Sequence, residues 1–214
     1  MQKNLHDMHT KKIFSAGKNV SEAKKALVMV HGRGAFAEDI LSLAGYFNLN
    51  DYALIAPQAE NNTWYPYSFL APPKQNEPWL SSALNVLTEI ISDANNAGIA
   101  SENIYFLGFS QGACLTLEFV TRNAKKHGGV VAFTGGLIGD KIYNENYKGD
   151  FLNTPFFIGS SDPDPHVPVE RVNETAAILK NMYADVTAKI YAGMGHTINK
   201  DEIEQANTLI FTDK

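Results

Sequence analysis

The sequence contains one cysteine, Cys114, and no long apolar run. A single thiol cannot close an internal disulfide, so the cysteine content gives no sign of an oxidising compartment. No apolar stretch is long enough to span a bilayer, and the first 20 residues lack the continuous apolar segment of a signal peptide. We therefore expect a cytoplasmic protein that does not insert stably into a membrane.

Basic residues are also few, and they do not cluster. The chain has 18 lysine and arginine residues against 23 aspartate and glutamate residues, a net charge of −5 with histidine neutral. A chain without a basic stripe is not expected to bind nucleic acid. The sequence also lacks a P-loop, a dinucleotide fingerprint and a cluster of metal ligands, so we expect neither a cofactor nor a metal ion.

What the sequence does have is a hydrophobic fraction of 44% over 214 residues, enough for one domain spanning residues 1–214. Short apolar runs alternate with segments of helical periodicity, and residues 1–25 form an N-terminal extension or an edge strand. Because the runs are apolar throughout, they predict an α/β fold with a mostly parallel sheet and helices on both faces. The expected strands are 26–31, 52–57, 104–109, 129–136, 154–160 and 185–193, and the expected helices are 36–47, 79–97, 111–125, 169–184 and 199–211.

An irregular segment, residues 58–78, interrupts this alternation. It holds four prolines and the aromatic residues Trp64, Tyr65, Tyr67 and Phe69. Long connections at strand ends often shape a binding site. We expect this segment to line a cleft, with a packed surface loop as the alternative.

Ser110 lies at the centre of the sequence GFSQG (108–112), where an expected strand gives way to an expected helix. One interpretation is an N-cap, whose hydroxyl accepts a hydrogen bond from the first helical turn. The other is a nucleophile on a sharp strand-to-helix turn, which leaves no room for side chains two residues to either side. Both of those positions are glycine, and an N-cap needs neither, so we favour the nucleophile.

A serine hydroxyl needs a base to take its proton, and the base needs an acid to orient it. His196 follows the last expected strand and precedes the last expected helix, which is the position expected of the base. The other histidines are less suitable: His6 and His9 lie in the polar N-terminus, His31 ends a strand in a structural position, His127 lies in a polar loop, and His166 lies beside the acid candidates as a pocket or loop residue.

The acid should follow the next-to-last strand, where both Asp162 and Asp164 occur. Spacing from Gly159 favours Asp162, and spacing back from Val167 and Pro168 favours Asp164. We favour Asp164, because the proline anchors the loop where it enters the helix, whereas residues just after a strand absorb an insertion as a bulge. Asp162 would then accept backbone N–H groups within the turn, and a plain proline–aspartate turn is the alternative for the whole segment.

Acyl transfer places negative charge on the carbonyl oxygen of the substrate, and fixed N–H groups stabilise it. The residue after the nucleophile, Gln111, supplies one backbone N–H at a helix N-terminus, where the helix dipole adds to the effect. The glycine-broken loop HGRGA (31–35) supplies the other, most simply the backbone N–H of Arg33.

Four segments together resemble one known family. They are similar, in this order, to motifs of the phospholipase/carboxylesterase family of small α/β-hydrolases, which includes acyl-protein thioesterases. The resemblance runs from Ala26 to Phe211 and implies an α/β-hydrolase fold. The segments are MVHGRG (29–34), NNAGIASENIYFLGFSQGACLTLEF (95–119), DPHVP (164–168) and YAGMGH (191–196).

The resemblance also implies roles for individual residues. Trp64 matches a family tryptophan near the acyl site, and Tyr65 and His166 are further candidates for the substrate pocket. The implied catalytic set is Ser110 as nucleophile, His196 as base, an aspartate of the DPDP segment as acid, and the backbone N–H groups of Arg33 and Gln111 as oxyanion donors.

The sequence departs from the family in two places. The segment DPDPHVP (162–168) is two residues longer than the family's acid loop, and residues 61–79 do not resemble its acyl-chain-binding loop. We expect a serine hydrolase that cleaves carboxylic esters or thioesters through an acyl-enzyme intermediate. One alternative is a dienelactone-type hydrolase, which typically carries cysteine in place of Ser110. Another is a catalytically silent protein that binds a ligand, and a homodimer is left open.

Overall fold

The computed structural model describes residues 8–212 and folds them into a single sheet with flanking helices. The strands are β1 (Ile13–Gly17), β2 (Lys25–Val30), β3 (Tyr52–Pro57), β4 (Ile104–Phe109), β5 (Gly129–Phe133), β6 (Pro155–Asp162) and β7 (Asp185–Ala192). The α-helices are α1 (Ala37–Ser42), α2 (Trp79–Asn96), α3 (Gln111–Arg122), α4 (Val169–Asn181) and α5 (Lys200–Leu209).

These elements confirm the expected α/β architecture, with one clear difference in a helix. The helix expected over 36–47 ends at Ser42 and continues as a 3-10 turn, Leu43–Tyr46. Gly45 lies in this turn, and glycine weakens an α-helix because it loses the most backbone freedom on folding.

The strand order is β1-β3-β2-β4-β5-β6-β7, and it reverses beside β2. Strand β2 pairs in parallel with β3 on one side and with β4 on the other, where Val30 lies opposite Gly108. Ligands of open parallel sheets bind beyond the carboxyl ends of the strands at such a reversal. The loops after β2 and β4, which carry Arg33 and Ser110, therefore leave the sheet side by side.

Side chains of the central strands alternate between two apolar cores. On one face, Val28 and Phe106 pack with residues of α2, α3 and α4. On the other face, Met29 and Leu107 pack with residues of α1 and α5. Burial of both faces explains why the strands are continuous apolar runs in the sequence. Within residues 8–212, every helix is too short or too polar to cross a membrane.

The N-terminal part of the described chain packs against the sheet and against the irregular segment. Strand β1 pairs antiparallel with β3 at the edge of the sheet. Before it, His9 is buried; its Nε2 donates to the carbonyl oxygen of Trp64 at 2.9 Å, and its Nδ1 accepts the N–H of Glu60 at 3.2 Å. The expectation that His9 lies in a polar N-terminus is therefore wrong, whereas His6 lies outside the described residues.

Helix α5 begins at a capping box that buries a carboxyl group. The side chain of Asn199 accepts the N–H of Glu202, and Oε2 of Glu202 accepts the N–H of Asn199, both at 2.8 Å. Oε1 of Glu202 is buried against Gly159 and has no hydrogen-bond partner among the described residues. Burial, opposed by the Asn199 N–H and assisted by the charge of Asp201, raises the pKa of Glu202 to about 7.

This raised pKa predicts a pH-dependent effect of Glu202→Gln on stability. The Glu202 carboxyl binds its proton more tightly in the folded state than in the unfolded chain. The free energy of unfolding therefore falls as pH rises from about 4.5, the ordinary pKa of glutamate, through 7. Glutamine cannot ionise, so the variant should be more stable than the wild type above pH 7. The gain should shrink as pH falls, by at most ~1.4 kcal/mol per pH unit.

Urea unfolding at pH values from about 4 to 8 measures this difference. Glu204→Gln is the matched control, because Glu204 lies exposed on the same helix, 3.2 Å from the ammonium nitrogen of Lys200. The control should change stability little at any pH. A pH-independent gain in Glu202→Gln would contradict the prediction.

Candidate active site

Ser110 lies on a sharp turn between β4 and α3, with φ 55° and ψ −120°. A non-glycine residue at positive φ costs about 1–3 kcal/mol, and the surrounding structure has to hold it there. The flanking glycines permit the turn: a Cβ atom on Gly112 would overlap the carbonyl oxygen of Val30, and one on Gly108 would overlap the backbone of Ala113. The Ser110 side chain makes no capping hydrogen bond to the helix, so the N-cap interpretation is wrong.

A continuous chain of hydrogen bonds links Ser110, His196 and Asp164. Nε2 of His196 lies 2.8 Å from Oγ of Ser110, and Nδ1 lies 2.9 Å from Oδ2 of Asp164. An ionised carboxylate only accepts hydrogen bonds, so Nδ1 carries the proton and Nε2 accepts from the serine hydroxyl. The imidazole is held between the rings of Phe109 and His166, with centroid distances of 5.4 and 4.8 Å.

Asp164 is also held by its own turn. Its side chain is fully buried, and Oδ1 accepts the N–H groups of His166 and Val167 at 2.7 and 2.8 Å. Burial alone raises the pKa of Asp164, but these two N–H groups and His196 outweigh it, so the pKa is lowered overall and the carboxylate stays ionised.

Asp162 lies in a different environment from the one expected. Asp162 is exposed, and its carboxylate makes no hydrogen bond within the described part of the chain. The turn N–H groups expected to bind Asp162 bind Asp164 instead. The reason is geometric. Asp164 lies two residues before the donor His166 and three before the donor Val167, which is the spacing of an Asx turn.

The backbone N–H groups of Arg33 and Gln111 are free of protein acceptors among residues 8–212. Gln111 is the first residue of α3, where N–H groups have no partner within the helix. Arg33 lies in the loop after β2, and both residues line the same cavity as Ser110. Two N–H groups without protein acceptors therefore belong to residues that line the cavity together with Ser110.

The cavity over Ser110 has a volume of about 390 Å³. Tyr65 and His166 line it as expected, and no aspartate or glutamate is among its lining residues within the described chain. The other lining residues are Arg33, Pro66, Tyr67, Ser68, Phe69, Ser110, Gln111, Cys114 and His196.

Trp64, in contrast, lies behind the cavity wall, which corrects its expected place in the pocket. Its side chain is fully buried, and the indole N–H donates to the carbonyl oxygen of His31 at 2.9 Å. His31 in turn donates from Nδ1 to the carbonyl oxygen of Gly32 and accepts the N–H of Ala59 at Nε2. Because burial lowers the pKa of His31, this ring remains a neutral structural bridge between the two loops.

The side chain of Gln111 has a role that the sequence did not indicate. Its Oε1 accepts the N–H of Trp64 at 2.9 Å, and its Nε2 donates to the carbonyl oxygen of Tyr65 at 2.8 Å. The side chain of Gln111 therefore pairs with one backbone donor and one backbone acceptor of the irregular segment, as a neighbouring β-strand would. The sequence gives no indication of this role, because the pattern around Ser110 does not specify which side chain follows the serine.

Arg33 holds the next part of the same segment. Its guanidinium donates to the carbonyl oxygens of Tyr65, Pro66 and Tyr67 at 2.7–2.9 Å. Three acceptors on consecutive residues match the planar fork of arginine. The side chain therefore fixes the backbone that forms one wall of the cavity.

Cys114 lines the floor of the cavity one helical turn after Ser110. Burial raises the pKa of its thiol to about 12. A protonated, buried thiol is not a nucleophile. Within the described residues, no three histidine, cysteine, aspartate or glutamate side chains cluster as metal ligands would.

Comparison with known proteins agrees with this geometry. A sequence model of the phospholipase/carboxylesterase family matches residues 11–213. The chain belongs to this family. This confirms the resemblance noted in the sequence and, with the parallel sheet, the α/β-hydrolase fold.

One solved member of the phospholipase/carboxylesterase family, from Dyadobacter fermentans DSM 18053, is 54% identical to this chain. It superposes with a TM-score of 0.95 over 98% of this chain and 100% of its own. Acyl-protein thioesterase 1 of Saccharomyces cerevisiae is 26% identical over 89% of this chain and 93% of its own length. Acyl-protein thioesterase 1 of Gibberella zeae is 31% identical over 56% of this chain. That match spans about half, 52%, of the length of the Gibberella protein.

The contacts of Arg33 predict that Arg33→Met loosens the cavity wall. Methionine keeps much of the side-chain volume but donates no hydrogen bond, so the carbonyls of residues 65–67 lose three donors. Each lost bond contributes ~0.5–1.5 kcal/mol, so amide hydrogen exchange over residues 63–69 should quicken by about tenfold or more. Lys74→Met, an exposed cation of the same segment, is the control and should leave exchange unchanged. Equal exchange in both variants would contradict the assigned role.

Proposed function

We propose that this protein is a serine hydrolase that cleaves carboxylic esters or thioesters through an acyl-enzyme intermediate. The observation that carries the proposal is the continuous hydrogen-bonded chain from Ser110 through His196 to Asp164, with links of 2.8 and 2.9 Å. The three residues occur in the order expected of an α/β-hydrolase. Membership of the phospholipase/carboxylesterase family supports the same reaction class.

In the proposed acylation step, Oγ of Ser110 attacks the carbonyl carbon of the substrate while Nε2 of His196 takes the hydroxyl proton. The imidazolium formed is stabilised by the Asp164 carboxylate, which stays ionised because its pKa is lowered. Nε2 then gives the proton to the departing alcohol or thiol. In deacylation, a water molecule repeats the attack and His196 again transfers the proton.

The negative charge that forms on the carbonyl oxygen needs donors fixed in advance. We assign this role to the backbone N–H groups of Arg33 and Gln111, which lack protein acceptors among the described residues and border the cavity beside Ser110. Such donors each contribute on the order of 10²–10³ in rate. The side chains of Arg33 and Gln111 also donate hydrogen bonds to the carbonyl oxygen of Tyr65, which links both residues to the irregular segment.

The size of the cavity supports a substrate of small or medium size. Its volume is about 390 Å³, and its lining includes the buried aromatic side chains of Tyr65 and Phe69. The dienelactone-type alternative gains no support from Cys114, because that thiol is buried and protonated. The catalytically silent alternative would be expected to lack one of the three polar residues, and this chain has all three.

Replacement of the serine tests the proposal most directly. Ser110→Ala should reduce kcat on p-nitrophenyl butyrate by about 10⁴-fold or more, since the hydroxyl is the proposed nucleophile. A fluorophosphonate probe should label the wild-type protein at Ser110 and leave the variant unlabelled. Ser15→Ala, at an exposed position of β1, is the control and should retain activity. Unchanged turnover in Ser110→Ala, or labelling of another residue, would refute the assignment.

The two aspartates provide a matched pair for the acid. Asp164→Asn should lower kcat by about 10⁴-fold, because an amide donor opposite Nδ1 disfavours the tautomer that accepts the serine proton. Asp162→Asn should change kcat by less than about threefold, since this carboxylate makes no hydrogen bond to other described residues. Single-turnover acylation rates distinguish the two variants. The reverse ranking would move the acid to Asp162.

A further inference from the structure

The hydroxyl of Ser161 joins the two loops that carry Asp164 and His196. Ser161 is the last residue but one of β6, and its side chain is fully buried. Its Oγ accepts the N–H of Gly195 at 2.9 Å. The same oxygen lies 3.2 Å from the carbonyl oxygen of Pro163 and 3.3 Å from that of Tyr191, so its single proton is shared between these acceptors.

Two of these three partners lie directly before a residue of the proposed catalytic set, whereas Tyr191 belongs to the neighbouring strand β7. Gly195 precedes His196, and Pro163 precedes Asp164. Oγ of Ser161 therefore accepts a hydrogen bond from the loop that carries His196 and donates one to the loop that carries Asp164. This atom therefore bridges the two loops whose separation sets the hydrogen bond between Nδ1 of His196 and Oδ2 of Asp164.

The loop that carries His196 has other hydrogen bonds here, but they stay within the loop and the cap of α5. The N–H of Thr197 donates to the carbonyl oxygen of Gly195 at 3.1 Å, and Nδ2 of Asn199 donates to Sδ of Met194 at 2.8 Å. Gly193 and Gly195 adopt positive φ values of 65° and 79°, and a Cβ atom on either would meet no heavy atom within 4 Å. The N–H of Gly193 donates to the carbonyl oxygen of Asp162 at 2.9 Å, which ties the start of the loop to β6. The bond between Gly195 and Ser161 is a second tie to that strand, two residues closer to His196.

We propose that Ser161 is a positioning residue, which holds His196 and Asp164 at hydrogen-bonding distance by linking their loops through its hydroxyl. This inference rests on the proposed Ser110–His196–Asp164 chemistry. Ser161 does not line the cavity among the residues that the structure describes, so it acts through the two loops and not on the substrate. Loss of its hydroxyl should therefore lower kcat and leave KM nearly unchanged.

The neighbouring residue, Ser160, provides a matched control. It is also fully buried near the end of β6, but its hydroxyl has no hydrogen-bond partner among the described residues. Removal of either hydroxyl deletes one oxygen from the interior of the same strand. A general packing effect should appear in both alanine variants, whereas a positioning effect should appear in Ser161→Ala alone.

Steady-state kinetics on p-nitrophenyl butyrate measure the first consequence. Ser161→Ala should lower kcat by about 10- to 100-fold, since a misplacement of about 1 Å in a catalytic group costs up to about 100-fold. Its KM should stay within about twofold of wild type. Ser160→Ala should stay within about twofold in both constants. Ser161→Thr, which restores a hydroxyl, should recover most of the lost kcat.

The second measurement does not depend on catalysis. The Hδ1 resonance of His196 in proton NMR reports on the hydrogen bond between Nδ1 and Asp164. In Ser161→Ala this resonance should move upfield or broaden by exchange, and in Ser160→Ala it should stay at the wild-type position. Should Ser161→Ala fail to fold, Ser161→Cys replaces it with the same expectations, because the thiol keeps the volume and accepts hydrogen bonds weakly.

Two results would overturn the proposal. One is an unchanged resonance in the Ser161 variant, whatever its kcat, because a loss of rate without a change at Nδ1 indicates a structural role. The other is an equal loss of kcat in Ser160→Ala and Ser161→Ala. If Ser110→Ala retains activity, the proposed function fails separately, and the resonance alone then decides whether Ser161 links the two loops.

Discussion

Helix α3 lies so close to the end of strand β2 that position 112 has no room for a side chain. A Cβ atom there would overlap the carbonyl oxygens of Val30 and His31. This approach forces the chain to turn sharply after β4, and Ser110 takes up the turn at positive φ. It also brings the first N–H groups of α3 beside the loop that carries Arg33. The position of the hydroxyl, the free donors and the cavity wall all depend on this one contact.

The irregular segment between β3 and α2 is held by side chains instead of by a regular pattern of backbone hydrogen bonds. Buried backbone groups must be paired, and here the partners are His9, Arg33, Gln111 and Asn76. Asn76, for example, accepts the N–H of Tyr67 and donates to the carbonyl oxygen of Ser68. These fixed contacts give a segment whose regular structure is limited to two short 3-10 turns, Glu60–Asn62 and Pro73–Asn76, a defined face towards Ser110.

Much of the architecture could be predicted from the sequence because apolar periodicity and glycine spacing act locally. The order of strands and helices follows from continuous apolar runs, and the turn at Ser110 follows from the glycines on either side. Preference for Asp164 over Asp162 came from the anchoring of the loop by Pro168, and the hydrogen bond to His196 agrees with it.

Other features depend on contacts between distant parts of the chain. His9 lies next to Trp64 because β1 pairs with β3, and the sequence predicts an edge strand as one alternative without indicating its partner. Trp64 lies behind the cavity because His31 offers its carbonyl oxygen there. Likewise, the role of Ser161 depends on the pairing of β6 with β7, and a buried serine near a strand end carries no signal in the sequence.

The same pairing has a consequence for when the protein becomes reactive during its synthesis. A domain generally folds as a unit, and the ribosome makes the chain from its N-terminus. Strand β7 is the last to be made and pairs with β6 along eight residues of each strand. His196 follows β7, so the imidazole lies beside Ser110 only after β7 has docked. A serine hydroxyl without a base is a weak nucleophile, so the proposed hydrolytic reactivity requires the complete sheet.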